Sequence, residues 1–275
     1  MQLDKLCVAC FSPTHTSMKI ARAIADGTHI ARREEIDLTT DPADTPIAVR
    51  NAICIVAAPV YGGHVAPTAA KRLETLRGSG TPAVVIAVYG NRAFEKAAAE
   101  LAALAARQGF VPVAAAAFVG EHSYSTPETP VAAGRPDAQD LARAAEFGAA
   151  VRKKLAAGTP APVDAAKLKD VHTPLVPMLR FIRFVVGYRR RQKKNPVVYL
   201  PACDADRCTH CGRCAAICPT QAIARGDEAH TDPARCIRCC ACVKGCPVGA
   251  RSFHTPFAAA LARSFTRRKQ PVTIL

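Results

Sequence analysis

The residues with the clearest chemistry are cysteines. The chain has 275 residues and 13 cysteines, of which three stand at Cys7, Cys10 and Cys54 and ten lie from Cys203 to Cys246. Cys208, Cys211, Cys214 and Cys218, with Pro219 next, follow the spacing C-x2-C-x2-C-x3-C-P. The pattern recurs 28 residues later at Cys236, Cys239, Cys242 and Cys246, again with Pro247 next. Thiolates are soft ligands that select zinc or iron–sulfur clusters. An iron–sulfur cubane needs four thiolates at tetrahedral corners. Two-residue gaps let three sulfurs of one tight loop reach three irons, while the fourth cysteine begins a helical turn and its proline directs the chain away. Structural zinc on paired C-x2-C motifs is the alternative, but zinc needs neither four cysteines in one close run nor the proline twice. Cys203 and Cys240 have no place in the spacing and read as non-ligands.

This module, over about residues 200–254, resembles the bacterial two-[4Fe–4S] ferredoxins. The resemblance implies that each fourth cysteine serves the other cluster. One cluster is then expected on Cys208, Cys211, Cys214 and Cys246, the second on Cys236, Cys239, Cys242 and Cys218. Arg213, Arg225, Arg235, Arg238 and Lys244 depart from the acidic surface common in free ferredoxins. Positive charge near a cluster stabilises its reduced form and should raise its potential.

A second constellation lies in the N-terminal half. Ser12, Pro13, Thr14, His15, Thr16 and Ser17 join an apolar strand to a helical pattern. Hydroxyls and backbone N–H groups at a helix N-terminus favour a phosphate, and an ordinary Ser/Thr helix cap is the alternative. The loop has neither the G-x-G-x-x-G of dinucleotide folds nor the G-x-x-x-x-G-K-[ST] of NTPases. It resembles the phosphate loop of flavodoxins, T/S-x-T-G-x-T, with Ser12, Thr14 and Ser17 at hydroxyl positions and His15 where glycine is usual. Three further loops fall after strands of the same pattern: Pro59, Val60, Tyr61, Gly62 and Gly63; Tyr89, Gly90, Asn91 and Arg92; and Glu121, His122 and Ser123. In a doubly wound sheet the ligand sits outside the carboxyl ends of the strands. The flavodoxin resemblance, over about residues 3–156, implies that these loops hold FMN, with glycines admitting the ring edge and Tyr61 and Tyr89 stacking on it. His15, His64 and His122 read as hydrogen-bonding loop residues rather than acid–base catalysts. Cys7, Cys10 and Cys54 read as small core residues.

These sites need elements to position them. Strands are expected over 5–11, 29–37, 52–58, 84–89 and 110–119, and helices over 18–26 (ended by Gly27), 67–76, 93–107 and 137–156. Five strands interleaved with four helices predict an α/β fold, a flavodoxin-like doubly wound five-stranded parallel sheet of order 2-1-3-4-5. A small α+β two-cluster ferredoxin domain follows. The Pro-rich stretch 158–164 marks a boundary. The expected division is 1–158 for the FMN domain, 159–199 for a basic connector whose amphipathic helix covers the junction between the domains, with peripheral membrane contact as the other reading, 200–254 for the cluster domain and 255–275 for a basic tail.

The formal charge is +15, with no Trp and a largely aliphatic apolar fraction. The excess over 180–194 and around Arg263, Arg267, Arg268 and Lys269 suits an acidic protein, a nucleic acid or an anionic membrane surface, or is simply a solvated face. No nucleic-acid reader motif accompanies it, so nucleic acid is not expected. The stretch 175–186 is too short and too charged to span a bilayer. Met1 leads into Asp4 and Lys5 without a long apolar run, and a reducing cytoplasm is the expected compartment. The whole chain resembles the flavodoxin–ferredoxin fusion proteins of anaerobic metabolism, which implies FMN and two [4Fe–4S] clusters in one polypeptide. No nucleophile–base pair or carboxylate dyad stands out. The expected function is electron transfer between FMN, the clusters and an external redox protein, acidic in character: a ferredoxin, a flavodoxin or a reductase. The alternative is a flavin-dependent reductase of a small or quinone-like acceptor.

Overall fold

The computed structural model describes residues 5–40, 45–158 and 161–275. They form two compact units. The first takes in the chain up to Glu121, Gly134–Val171 and Lys269–Leu275; the second takes in His122–Ala133 and His172–Arg268. The boundary read at 158–164 falls partly on residues 159–160, which lie outside the described residues, as does Asp4.

In the first unit the strands are β1 (Lys5–Cys10), β2 (Arg32–Asp37), β3 (Ile53–Tyr61), β4 (Thr81–Tyr89) and β5 (Phe110–Val119). All pair in parallel in the order β2-β1-β3-β4-β5, with Leu6 opposite Ile53, Ile55 opposite Val84 and Ala87 opposite Ala117. The expected order is therefore present. Continuous runs such as Ile53 to Ala58 are buried along their length, as strands covered on both faces must be. At one edge β2 carries charge instead, with Lys5 paired to Glu34 and Arg22 to Glu35, which blunts edge-to-edge pairing. The sheet has two strands beyond the expected five: a short one, His64–Val65, antiparallel to β3, and one at the other edge. Residues read as a basic tail supply β6 (Val272–Ile274), antiparallel to β5 with Thr273 opposite Ala116.

The helices are α1 (Thr16–Gly27), α2 (Pro67–Leu73), α3 (Ala97–Arg107) and α4 (Ala138–Ala156). Gly27 does not end α1 as expected; the cap is Thr28. Its lack of a side chain serves close packing: a Cβ there would lie 1.8 Å from the Ala145 carbonyl oxygen, and one at Gly148 would lie 2.0 Å from that of Ile24. The backbones of α1 and α4 thus touch at two glycines. α3 begins four residues later than expected because Glu95 adopts φ +44°, and the Asp170 carboxylate accepts from the Phe94 and Glu95 N–H groups at 2.7 and 3.0 Å. α4 starts with a reciprocal cap between Asp137 and Asp140, and Asp140 also accepts from the buried Arg135 at 2.8 Å.

In the second unit α5 (Leu175–Lys194) runs 20 residues, and α6 (Pro256–Ser264) follows an N-capping Thr255. Phe181, Phe184 and Tyr188, on one face of α5, pack around Phe257 with ring centroids 6.5, 5.0 and 4.8 Å away. The cysteine module contributes an antiparallel pair, Ala202–Cys203 with Arg251–Ser252, and two one-turn helices, Arg213–Ala216 and Ala241–Lys244. Among the described residues no helix is long and apolar enough to cross a membrane.

Candidate functional site

The repeat seen in the cysteine spacing extends to the backbone. His210, Gly212 and Gln221 have positive φ, and so do Arg238, Cys240 and Gly249, each 28 residues later. The Cys208 N–H donates to the Asp204 carbonyl and the Cys236 N–H to that of Asp232, at 3.1 and 3.0 Å. The halves interlock: the Asp204 N–H donates to the Ala250 carbonyl and the Asp232 N–H to that of Ala222, both at 2.8 Å. Cys240 therefore holds the place of Gly212, where a left-handed residue caps the one-turn helix behind it.

This folding leaves two separate spaces. One is lined by Cys208, Cys211, Cys214 and Cys246. The other is lined by Cys218, Cys236, Cys239 and Cys242, with Cys240 also on its wall. Each space takes three cysteines from one repeat and the fourth from the other. Among the described residues no three His, Cys, Asp or Glu side chains converge on a single-ion position; the thiols surround a space instead. Two of the sulfurs accept backbone N–H groups at 3.2 Å, Cys218 from Ala222 and Cys246 from Ala250. Such donors favour the thiolate. Burial pushes the Cys246 thiol up, but the surrounding N–H groups outweigh it and its pKa falls below the usual thiol value. Burial pushes the Cys239 thiol up to about 12, and a bound metal charge would favour its thiolate.

Arg251 lies beside both spaces. It lines the first, and its Nη2 is 3.9 Å from the Cys242 sulfur of the second. Only 3 % of its surface is exposed, and its hydrogen bonds go to the Glu228 and Pro201 backbone carbonyls, the Thr231 hydroxyl and the Cys242 sulfur, with no carboxylate among them. Its Nε is buried without a partner. A buried cation without a counter-charge costs several kcal/mol, and an anionic thiolate cage supplies that charge. The residues present fit iron–sulfur clusters. Arg251 escaped the sequence reading because, lying five residues past Cys246, it belongs to neither cysteine run.

Tyr124, on the segment His122–Ala133, packs its ring 5.0 Å from Phe253, and burial raises its hydroxyl to about 12. His122 and Ser123 belong to this unit. His122 accepts from the Tyr124 N–H through Nδ1 at 3.0 Å.

In the first unit the loops after β1, β3, β4 and β5 lie at the carboxyl ends of their strands, and the order changes direction between β1 and β3. The Ser12 N–H donates to Thr39 Oγ1 at 2.8 Å, and Ser12 Oγ accepts from the Met18 N–H at 3.1 Å. Ser12 Oγ therefore satisfies one N–H of the first turn of α1, whose capping residue is His15. His15 has φ +63° and is exposed, which explains why glycine suits that position. Thr14 and Thr16 are half-buried. Ser17 is 1 % exposed, and its hydroxyl has no hydrogen-bond partner. An orphaned buried hydroxyl in the first turn of a helix with no acidic residue there fits a phosphate.

Pro59, Val60 and Tyr61 are still in β3, and Gly62 and Gly63, at φ +63° and +94°, turn it into a hairpin with Tyr61 opposite His64. His64 Nδ1 lies 2.5 Å from Glu100 Oε1. Tyr61 is half-buried. Tyr89 is not on the open edge, contrary to its expected stacking role: it is 2 % exposed and packs edge-on against Phe94 with centroids 5.5 Å apart. Asn91 is buried at φ +61°, Arg92 pairs with Glu95, and the Arg92 carbonyl accepts from Lys269. Gly90 accepts from the Arg92 N–H at 2.9 Å. Glu121 Oε2 accepts from the Gly134 N–H at 3.0 Å. Gly120 and Thr39 join this edge without a sequence signal; a Cβ on Gly120 would lie 2.9 Å from that of Thr16.

The model of one protein family, the 4Fe-4S dicluster domain, matches residues 200–254. With the two thiol-lined spaces, this makes the cysteine module an iron–sulfur domain. Among solved structures, a flavodoxin from Streptococcus pneumonia TIGR4 is 20 % identical over 54 % of this chain and 99 % of that one, with TM-score 0.36. Flavodoxin 1 from Bacillus cereus is 17 % identical over 54 % and 97 %, with TM-score 0.40. A flavodoxin from the domain Archaea is 14 % identical over 55 % and 99 %, with TM-score 0.36. No curated protein matches the chain.

Proposed function

We propose that the chain is an electron-transfer protein carrying two [4Fe–4S] clusters and one FMN. The observation that carries this reading is the pair of thiol-lined spaces with crossed cysteines. Cys208, Cys211, Cys214 and Cys246 hold one cluster, and Cys218, Cys236, Cys239 and Cys242 the other. The loop 12–17 would hold the FMN phosphate, with Ser17 offering its unpartnered hydroxyl. The hairpin Tyr61, Gly62, Gly63 and the loop Gly90, Asn91, Arg92 would border the ring, and Tyr61 would take the stacking role that the buried Tyr89 does not fill. When bound, FMN exchanges one or two electrons and each cluster one; that chemistry belongs to the cofactors, and the protein supplies placement and electrostatics.

The external partner is an acidic redox protein. Cys211 is the exposed ligand of its set, and beside it an open groove is lined by Arg213, Arg225 and Arg235. A positive rim at an exposed ligand steers a negative partner. The compartment is a reducing one, where these thiols stay available to iron.

Anaerobic reconstitution followed by iron, sulfide and flavin analysis tests the proposal. About eight irons per chain are expected for two cubanes, with one FMN. Iron near half that value removes a cluster, and absent flavin reduces the first unit to a scaffold. Steady turnover of a quinone-like acceptor by the loaded protein would favour a reductase instead.

A further inference from the structure

Helix α5 has two apolar faces, and only one is used. Phe181, Phe184 and Tyr188 face α6. Leu175, Leu179, Ile182 and Val186 follow at steps of four, three and four residues and fall within an arc of about 60° on the opposite side. These four are between 43 % and 69 % exposed. Isolated exposed aliphatics need no explanation, but a continuous stripe of them marks a docking surface.

The charge around the stripe says what covers it. Arg183 and Arg190 flank one side and Arg189 the other, and Lys193 continues the stripe's line into the last turn. Residues 180–194 contain seven Lys and Arg in all, and residues 171–203 contain no Asp or Glu. A second copy of this helix would bring like charges face to face. An apolar stripe edged by Arg and Lys on a helix without acids meets both demands of an anionic bilayer at once: aliphatic side chains enter the acyl boundary while the basic flanks meet the headgroups. The helix cannot cross; it would lie in the plane, its aromatic face held by the protein.

We propose that α5 is an in-plane docking element for a membrane surface rich in anionic lipid. This goes beyond the electron-transfer reading and does not depend on which cofactors are bound.

Flotation of the full cofactor-loaded chain with vesicles of phosphatidylcholine, with and without phosphatidylglycerol, tests it. Binding to the anionic vesicles at least tenfold tighter than to phosphatidylcholine alone is expected. Leu179→Glu with Ile182→Glu should weaken it at least tenfold, because two inserted side chains are lost. Arg189→Gln with Arg190→Gln should weaken it by about fivefold per residue and flatten its salt dependence. All four positions are exposed, so iron content and visible spectrum should stay as in the wild type and serve as the folding control. Absence of vesicle binding overturns the proposal. So does binding that the Glu pair leaves unchanged, or equal capture by soluble polyglutamate, which would mean charge attraction without insertion. A concentration-dependent dimer that the Glu pair abolishes, without vesicle binding, would assign the stripe to a second copy.

Discussion

Arg251 Nη2 stands 3.9 Å from the sulfur of Cys242, while Arg251 itself lines the space belonging to the other four cysteines. Among the described residues no carboxylate pairs with this buried guanidinium, so its charge acts on whatever the thiols hold. A nearby cation favours the more negative, reduced form of a cluster. Arg251→Gln is expected to lower at least one cluster potential by about 60 mV, the one-electron equivalent of a tenfold change in equilibrium constant. Arg251→Lys should restore part of the shift. Redox titration followed by EPR measures it, with iron content checked alongside. An unchanged potential in a fully loaded variant would remove Arg251 from the electrostatics of the site.

The crossed cysteine sets make a sharper claim about single residues. Cys218 precedes Pro219 in the first repeat but lines the space of the second. Cys218→Ser should therefore strip the cluster held by Cys236, Cys239 and Cys242 and leave the other, halving the iron. Cys240 shares the same wall, yet stands where the first repeat has Gly212. Cys240→Ala should keep all the iron, and Cys240→Gly should keep it with equal or greater stability, because a left-handed backbone suits glycine. Iron per chain and the visible spectrum decide between them. Loss of iron in Cys240→Ala would make Cys240 a ligand.

His15 puts a side chain where the turn requires φ +63°. A non-glycine residue pays about 1 kcal/mol there, and a β-branched one more. His15→Gly should keep or improve FMN binding, whereas His15→Val should weaken it about tenfold and lower the melting temperature by several degrees, the size of shift that roughly 1 kcal/mol produces in a domain of this length. Flavin fluorescence titration and thermal melts measure both. Equal FMN affinity in His15→Val would show that the turn does not carry the phosphate.

The parts legible in the sequence are those whose signal is local and periodic. The two cysteine runs announce themselves by spacing, and the strand order follows from alternating apolar runs and helices. What stayed hidden depends on partners far along the chain. Val272–Ile274 is too short to read as a strand and becomes one only against β5. Gly27 looks like a helix stop because nothing nearby shows that α4 presses on it. Tyr89 ends a strand beside Gly90, which suggests an open edge, but Phe94 folds back and takes its ring into the core. Arg251 reads as one basic residue among many until the fold removes its water.

The arginines beside Cys211 set the last expectation. Arg213, Arg225 and Arg235 border one groove, and the Arg235 guanidinium is oriented by Gln221 Oε1 at 3.1 Å. Charges at the rim of a docking site act mainly on the association rate and are screened by salt. Arg213→Glu with Arg235→Glu should slow electron exchange with an acidic ferredoxin or flavodoxin at least tenfold at low ionic strength, and by much less at high salt. Exchange with a small neutral mediator should not change, since the clusters themselves are untouched. Stopped-flow traces across a salt series measure this. A rate equal to wild type at low salt would move partner docking away from Cys211, and an equal loss at every salt concentration would point to damage at the cluster rather than to steering.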